Sequence, residues 1–295
     1  WNFPSAVLSV PVTFPSYTLL MPSNLGCSAI VVAEGWEPSS VYLNPANISA
    51  FYRFSLSQSH SLRHFPMNSG EVDQLDADAV AFVVPAGWLG LFFGFSIAGE
   101  WGYDYRDLPY FWAGKEQLTG REGSVGWGWN IGFIRAGYLW KKLRFRLIRK
   151  RTAEEILNVA EKRWGVQWRV FPWLIFGWSS AERGPSEYWK SIRNSTFSIV
   201  VRILPWYSWG QEWNRFHYYF PRASLKFTRK NLVHQWNIRP FWICRKKLES
   251  RAIGLGITLP FISLSYAEGK DLMPFLTGME FPFFRDVHIG GYTIR

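Results

Sequence analysis

The sequence predicts an all-β chain folded as a transmembrane antiparallel β-barrel of about 12–14 strands, and three observations carry that expectation. The first is parity in the stretch from Leu89 to Tyr105. Its odd positions are Leu89, Leu91, Phe93, Phe95, Ile97, Gly99, Trp101, Tyr103 and Tyr105, while its even positions are Gly90, Phe92, Gly94, Ser96, Ala98, Glu100, Gly102 and Asp104. One face is large and apolar and the other small or acidic, which is the period of a strand with lipid on one side and a crowded or watery lumen on the other. The apolar row outlasts the roughly 9–11 residues that a tilted strand needs to cross a bilayer, and it ends in Trp and Tyr. The second observation is compositional. Aromatic residues make up 19% of the 295 residues, with 18 Trp, yet mean hydropathy is only −0.08; a membrane-spanning barrel reconciles these because it alternates apolar with polar residues and gathers Trp and Tyr at two interfaces. The third is that the same dyad alternation recurs between turn signals along most of the chain.

The stretch Ala79 to Ala98 is twenty residues without a charge and competes as a membrane helix. It contains Pro85, Gly87, Gly90 and Gly94, and a helix would scatter the segregated faces around its circumference. A hairpin therefore fits better, with Ala77 to Ala86 and the strand from Leu89 joined at Gly87-Trp88. No Gly/Ser-rich or Pro-rich linker divides the chain, so one domain is expected. The net charge of +11 does not indicate nucleic acid, because the basic residues are scattered and interleaved with Trp. Lys141-Lys142, Arg149-Lys150-Arg151 and Arg245-Lys246-Lys247 are expected at turns, where solvating the turn is favoured over meeting anionic head groups. Cys27 and Cys244 match no metal or redox spacing and are expected to be unpaired or incidental. The chain opens at Trp1 without a charged segment leading to a small-residue cleavage site, and this argues neither for nor against export.

Taken in order, residues 1 to 26 hold Pro4, Pro11, Pro15 and Pro22, which excludes a long helix or a central strand and leaves extended irregular chain. The run Glu37-Pro38-Ser39-Ser40-Val41-Tyr42-Leu43-Asn44-Pro45-Ala46 follows a small-residue stretch. It resembles the DDPSAVYWNPAG segment near the N-terminus of FadL/TodX-type outer-membrane proteins, which include transporters of fatty acids and aromatic hydrocarbons and secretion-associated relatives. Pro38, Ser39, Val41, Tyr42, Asn44, Pro45 and Ala46 agree with that pattern, and Trp36, Glu37 and Asn47 depart from it. Asn47, in place of a glycine, can still adopt a left-handed turn geometry. The resemblance implies that residues 1–47 form a hatch or plug, with Pro38, Ser39, Tyr42, Asn44, Pro45 and Ala46 as its binding motif, inside a barrel of residues 48–295. It also implies on the order of 14 strands.

A first strand is expected over Ile48 to Ser57, then a polar loop from His60 to Asp76, then the hairpin already described. Leu108 to Glu122 reads as a longer connection before Val125, Trp127, Trp129, Ile131 and Phe133. Leu143, Phe145 and Leu147 are expected to alternate with Arg144 and Arg146 on a face toward lumen or solvent. Thr152-Ala153-Glu154-Glu155 has the form of a capping box and predicts a short helix to about Arg163. Strands then resume at Val166–Val170, Leu174–Trp178, Phe197–Ile203, Leu225–Phe227, Trp236–Ile238 and Ile253–Leu259. The chain stops at Gly290-Gly291-Tyr292-Thr293-Ile294-Arg295 without the aromatic residue that usually ends a closing strand, so either closing residues are missing or the resemblance misleads.

No phosphate loop, paired-His metal spacing or nucleophile elbow is present. His60 and His64 lack a third ligand, Glu100 and Asp104 suit a polar barrel lining better than an acid pair, and the sequons at Asn47 and Asn194 are short enough to arise by chance. No metal, cofactor or catalytic residue is expected. Phe92, Ser96, Glu100 and Asp104 are expected to face the lumen. The function expected from the resemblance is a channel of a Gram-negative-type outer membrane that admits hydrophobic small molecules past a hatch. Its partners would be membrane lipid and the ligand, with no nucleic acid. The alternatives are a non-transporting relative that anchors or shuttles secreted proteins through contacts with secretion machinery, and a soluble Trp-rich β-sandwich that stacks sugars.

Overall fold

The computed structural model describes residues 27–66, 72–101, 116–149, 152–185, 191–219, 221–222, 224–248, 250–275 and 279–294. Fourteen strands form one closed antiparallel barrel. They are β1 (Ser55–Pro66), β2 (Val72–Ala86), β3 (Leu89–Trp101), β4 (Glu116–Ile131), β5 (Ile134–Arg149), β6 (Thr152–Phe171) and β7 (Leu174–Arg183), followed by β8 (Ser191–Leu204), β9 (Tyr207–Tyr219), β10 (Ser224–Ile238), β11 (Phe241–Leu248), β12 (Ser250–Thr258), β13 (Ile262–Phe275) and β14 (Met279–Ile294). Each strand pairs with its neighbours in sequence, and β14 pairs with both β13 and β1. Closure therefore uses residues up to Ile294. A single closed sheet also replaces the two-layer sandwich considered for the sequence.

One end of the barrel is defined by tight turns. Ala86 pairs with Leu89 across Gly87-Trp88, and Ile131 pairs with Ile134 across Gly132-Phe133. Gly87 and Gly132 take φ of +67° and +62°, which a two-residue hairpin of this hand requires and a side chain resists. Pro172-Trp173 and Pro205-Trp206 turn at the same end. In all four turns an aromatic residue occupies the second position, and Trp88, Phe133, Trp173 and Trp206 are exposed, forming a girdle at this rim.

The parity expected of β3 is observed. Leu91, Phe93, Phe95 and Ile97 point outward and keep 38–49% of their surface exposed, while Phe92 and Ser96 are fully buried inside. Outward aromatic side chains meet across neighbouring strands, Phe82 on Phe93 at 5.1 Å, Trp127 on Tyr138 at 4.7 Å and Tyr138 on Trp164 at 4.3 Å. Such cross-strand pairs contribute to sheet stability as well as to an apolar belt. Among the described residues, no helix is long and apolar enough to cross a membrane; the barrel crosses with strands.

Several sequence expectations are corrected. Ile48 and Ala50 belong to a 3₁₀ turn, and the first strand begins only at Ser55. Most of the polar stretch His60–Asp76 is strand, since β1 runs to Pro66 and β2 begins at Val72 and pairs with it from Pro66 back to Ser55. The connection before β4 ends at Glu116 rather than Glu122. Thr152–Arg163 is not a helix. It is the first half of β6, paired with β5 from Arg149 through Leu139, because the ladder offered by β5 outweighs a local capping signal. Lys141 and Lys142 lie in mid-strand, with Lys141 buried inside. On β5, Leu139, Lys141 and Leu143 face inward and Arg144 is exposed on the outward face, so of lumen and solvent it is the lumen that Arg144 does not face. Arg245-Lys246-Lys247 also lies within a strand.

Candidate functional site

From Cys27 to Ala50 the chain lies inside the barrel and packs against inward-facing residues of the wall. Ser28–Ala33 (SAIVVA) forms a short helix, α1, whose six residues are all buried. Small side chains suit it, since its backbone lies directly on the wall at Gly177 of β7, and Ala29 and Ile30 lie close to Gly210 of β9. Ala29, Ile30 and Ala33 pack with Ile175, Val200 and Val233.

Two 3₁₀ turns follow, Pro38–Tyr42 and Pro45–Ala50, each with proline at its first position, where the missing N–H is no loss. Asn44, preceding Pro45, is extended (φ −143°, ψ 109°) as its position demands, and its side-chain oxygen accepts from the Ala46 N–H at 3.0 Å. Its amide donates to the Val32 carbonyl at 2.6 Å and to Val166 of β6 at 3.2 Å. Asn47 does not adopt the left-handed geometry open to it. Asn47 sits within the second 3₁₀ turn, donates to the carbonyls of Val31 (2.9 Å) and Ser40 (3.1 Å), and accepts from the Gly35 N–H and from Gln167. Both asparagines thus satisfy carbonyls that α1 leaves open at its end. In this way they fold the segment back on itself.

The wall accommodates this segment by omitting side chains. A Cβ at Gly94 would overlap the Tyr42 hydroxyl, at Gly137 the Pro45 carbonyl, at Gly165 the Asn44 amide oxygen and at Gly177 the Val32 carbonyl. The small inner face noticed on β3 is part of this close approach. Tyr42 stands edge-on to Phe92, with centroids 5.1 Å apart and planes at 89°, and shares a 2.9 Å hydrogen bond with Ser124 of β4. Val41, Tyr42, Ile48 and Phe51 meet Ala79, Ala81, Val83, Phe92 and Leu139 in a largely apolar seam.

Charge brackets the segment on two sides. Toward the turns, Glu34 pairs with Arg169 of β6 at 2.5 Å and with Arg202 of β8. On the other side, the buried Glu161 carboxylate of β6 receives Lys141 at 2.9 Å, Arg163 at 3.2 Å and Arg183 at 3.0 Å. Arg163 also donates to the Leu43 carbonyl of the segment at 3.3 Å, and the Lys141 ammonium lies 5.9 Å from the Tyr42 ring centroid. Cys27 and Cys244 form a disulfide that ties the start of the segment to β11, correcting the expectation that they stay unpaired. Trp36 packs beside it on Trp242 at 6.1 Å.

Of the residues singled out in the sequence, Pro38, Ser39, Tyr42, Asn44, Pro45, Ala46, Phe92 and Ser96 are all buried within the barrel. Tyr42 and Phe92 touch directly. Glu100 is on β3 opposite Leu75, but its side chain, and all of Asp104, lie outside the described residues. His60 faces Asp78 at 3.1 Å on the exposed surface, and among the described residues no group of His, Cys, Asp or Glu could hold a metal. Sequence reasoning missed the inward glycines of β5, β6 and β7 and the Glu161 cluster. One glycine per strand at inward parity on three consecutive strands was the available signal for the former.

No protein-family model and no curated protein matches the chain by sequence. Solved structures do match in three dimensions. The Ralstonia pickettii toluene transporter TbuX is 11% identical over 96% of this chain and 98% of its own, with a TM-score of 0.57. The fold is that of the FadL/TodX-type barrels. The Pseudomonas putida toluene transporter TodX gives 8% identity over 88% and 93% of the two chains, TM-score 0.55. A Pseudomonas aeruginosa FadL homologue gives 9% over 94% and 96%, TM-score 0.51. The FadL/TodX-type fold thus extends over nearly the whole chain at very low identity.

Proposed function

We propose that the protein is a channel of a Gram-negative-type outer membrane that admits hydrophobic small molecules by passive diffusion. In this reading residues 1–47 act as a hatch on a barrel of residues 48–295, and the protein is not an enzyme. The observation that carries the proposal is the contrast between the two ways the luminal segment meets its wall. Against β6 and β8 it is held by ion pairs and by hydrogen bonds from Asn44, whereas against β2 and β3 it offers Val41, Tyr42, Ile48 and Phe51 to Ala79, Ala81, Val83 and Phe92. An apolar solute that takes the place of contacts in the second seam leaves little polar surface unpaired, while a polar solute would have to give up its water. The structural neighbours described as toluene transporters and a monoaromatic hydrocarbon channel support this substrate class.

The test is uptake of a radiolabelled monoaromatic hydrocarbon by cells whose outer membrane carries the protein, with leak of a small polar solute measured in parallel. The intact protein should pass the hydrocarbon and exclude the polar solute; deletion of residues 1–47 should leave a heat-modifiable barrel that passes both. A deleted barrel that folds and stays impermeable would remove the hatch mechanism. A folded intact protein that passes neither would favour the anchoring role for secreted proteins.

A further inference from the structure

We propose that the outer wall of the barrel carries a binding surface for lipid phosphate groups, on the side away from the tight turns. Moving along β5 from its turn, the outward positions read Ile134, Ala136, Tyr138 and Trp140, then Lys142 and Arg144; along β6 they read Trp168, Val166 and Trp164, then Lys162. On β4 the outward row passes from Trp127 and Val125 to Arg121. The change from apolar to cationic thus comes at a similar distance from the turns on three adjacent strands, where a spanning barrel leaves hydrocarbon and enters the head-group layer. A change from apolar to cationic also comes, nearer the turns, on β11 and β12 at Arg245, Lys247 and Arg251.

These side chains do not serve the lumen. Their inward neighbours Lys141, Leu143, Glu161 and Arg163 are buried inside, whereas Arg121, Arg144 and Lys162 are exposed on the opposite face. Arg121 and Arg144 are directly paired across β4 and β5, an arrangement of like charges that costs stability unless an anion lies between them. Among the described side chains, the single carboxylate on the outward faces of β4 to β12 is Glu182, and Arg193 holds it at 3.1 Å. Phosphate matches the surface: guanidinium forks bind it bidentately, and the alkyl stems of Lys and Arg can lie on the apolar belt while their heads reach the lipid head groups. The basic runs expected to solvate turns are thus, at Lys142, Arg245 and Lys247, part of the wall.

Trp127, Trp140 and Trp164 border the cluster on the lipid face and report on it directly. The protein would be reconstituted in phosphatidylcholine vesicles, and quenching of its Trp fluorescence by brominated phosphatidylglycerol compared with quenching by brominated phosphatidylcholine. The native protein should prefer the anionic lipid by roughly five-fold or more, and added salt should weaken that preference. Arg121→Gln, Lys142→Gln, Arg144→Gln and Lys162→Gln combined should bring it close to one, while Arg169→Gln with Arg202→Gln, inside the lumen, should leave it unchanged. Equal quenching by both lipids in the native protein overturns the proposal, as does a folded fourfold variant with undiminished preference. So does displacement of the anionic lipid by inorganic phosphate beyond the effect of chloride at matched ionic strength. If the fourfold variant fails to reach its heat-modifiable form, Lys142→Gln with Lys162→Gln decides in its place: a reduced preference supports the surface, and an undiminished one overturns it.

Discussion

Gly165→Val should loosen the luminal segment without opening the wall. A Cβ there would overlap the Asn44 amide oxygen and come within 2.8 Å of Pro45 Cδ and 2.9 Å of Pro45 N. Asn44 cannot turn aside cheaply, because its amide is bonded to the carbonyls of Val32 and Val166. Gly165 itself is fixed between Gly137 of β5 and Ser179 of β7, so the wall is the stiffer partner and the segment must give. Overpacking of this kind costs about 1–3 kcal/mol, which lowers the population of the closed arrangement by roughly 5- to 150-fold relative to any open one. The assay is conductance in planar bilayers together with leak of a small polar solute from vesicles. Gly123→Val is the control, since a Cβ at Gly123 meets nothing within 4 Å and the change in strand propensity is the same. If Gly165→Val leaks no more than Gly123→Val, the inward glycines do not seat the segment and the reasoning fails.

Three further outcomes are expected. Phe93→Arg places a charge on the lipid face beside Phe82 and should cost about 2–4 kcal/mol if near the midplane, read from urea unfolding in vesicles; Ser96→Lys, aimed into the lumen, should instead change ion selectivity. Glu161→Ala removes the carboxylate that Lys141, Arg163 and Arg183 share and should cost about 3–5 kcal/mol, and a loss under 1 kcal/mol in the same titration would show that water reaches the cluster. The unfolded native chain should migrate faster in gels without reductant than with it, because the cross-link closes 217 residues into a loop, and Cys244→Ser should abolish the difference.

What could be read from the sequence was whatever is local or strictly periodic. β3 announced both of its faces, Gly87-Trp88 announced its turn, and Asn44 before Pro45 announced an extended residue ahead of a turn. The errors arose where a distant partner decides. The first half of β6 carries a respectable helix start, and only the ladder to β5 makes it a strand; a bulge beside Arg146 further blurs its alternation. Lys141 reads as a turn residue until Glu161, twenty positions on, is seen to hold it at 2.9 Å. The role of Asn47 was hidden for the same reason, since its partners Val31, Ser40 and Gln167 come from three different places in the chain. Two cysteines flanking most of the barrel carry no spacing signal, because their proximity is a property of closure.

The covalent tie between Cys27 and β11 limits how the lumen can ever be cleared. At its far end the segment runs into β1, which is paired on both edges from Leu56 onward. Residues 27 to 55 are therefore a chord strung across a ring and clamped at each rim. A chord cannot swing aside as a door does on one hinge; it can only bow, trading contacts along its middle while both ends stay in place. In the proposed channel, a solute would pass through the gap that this slack provides.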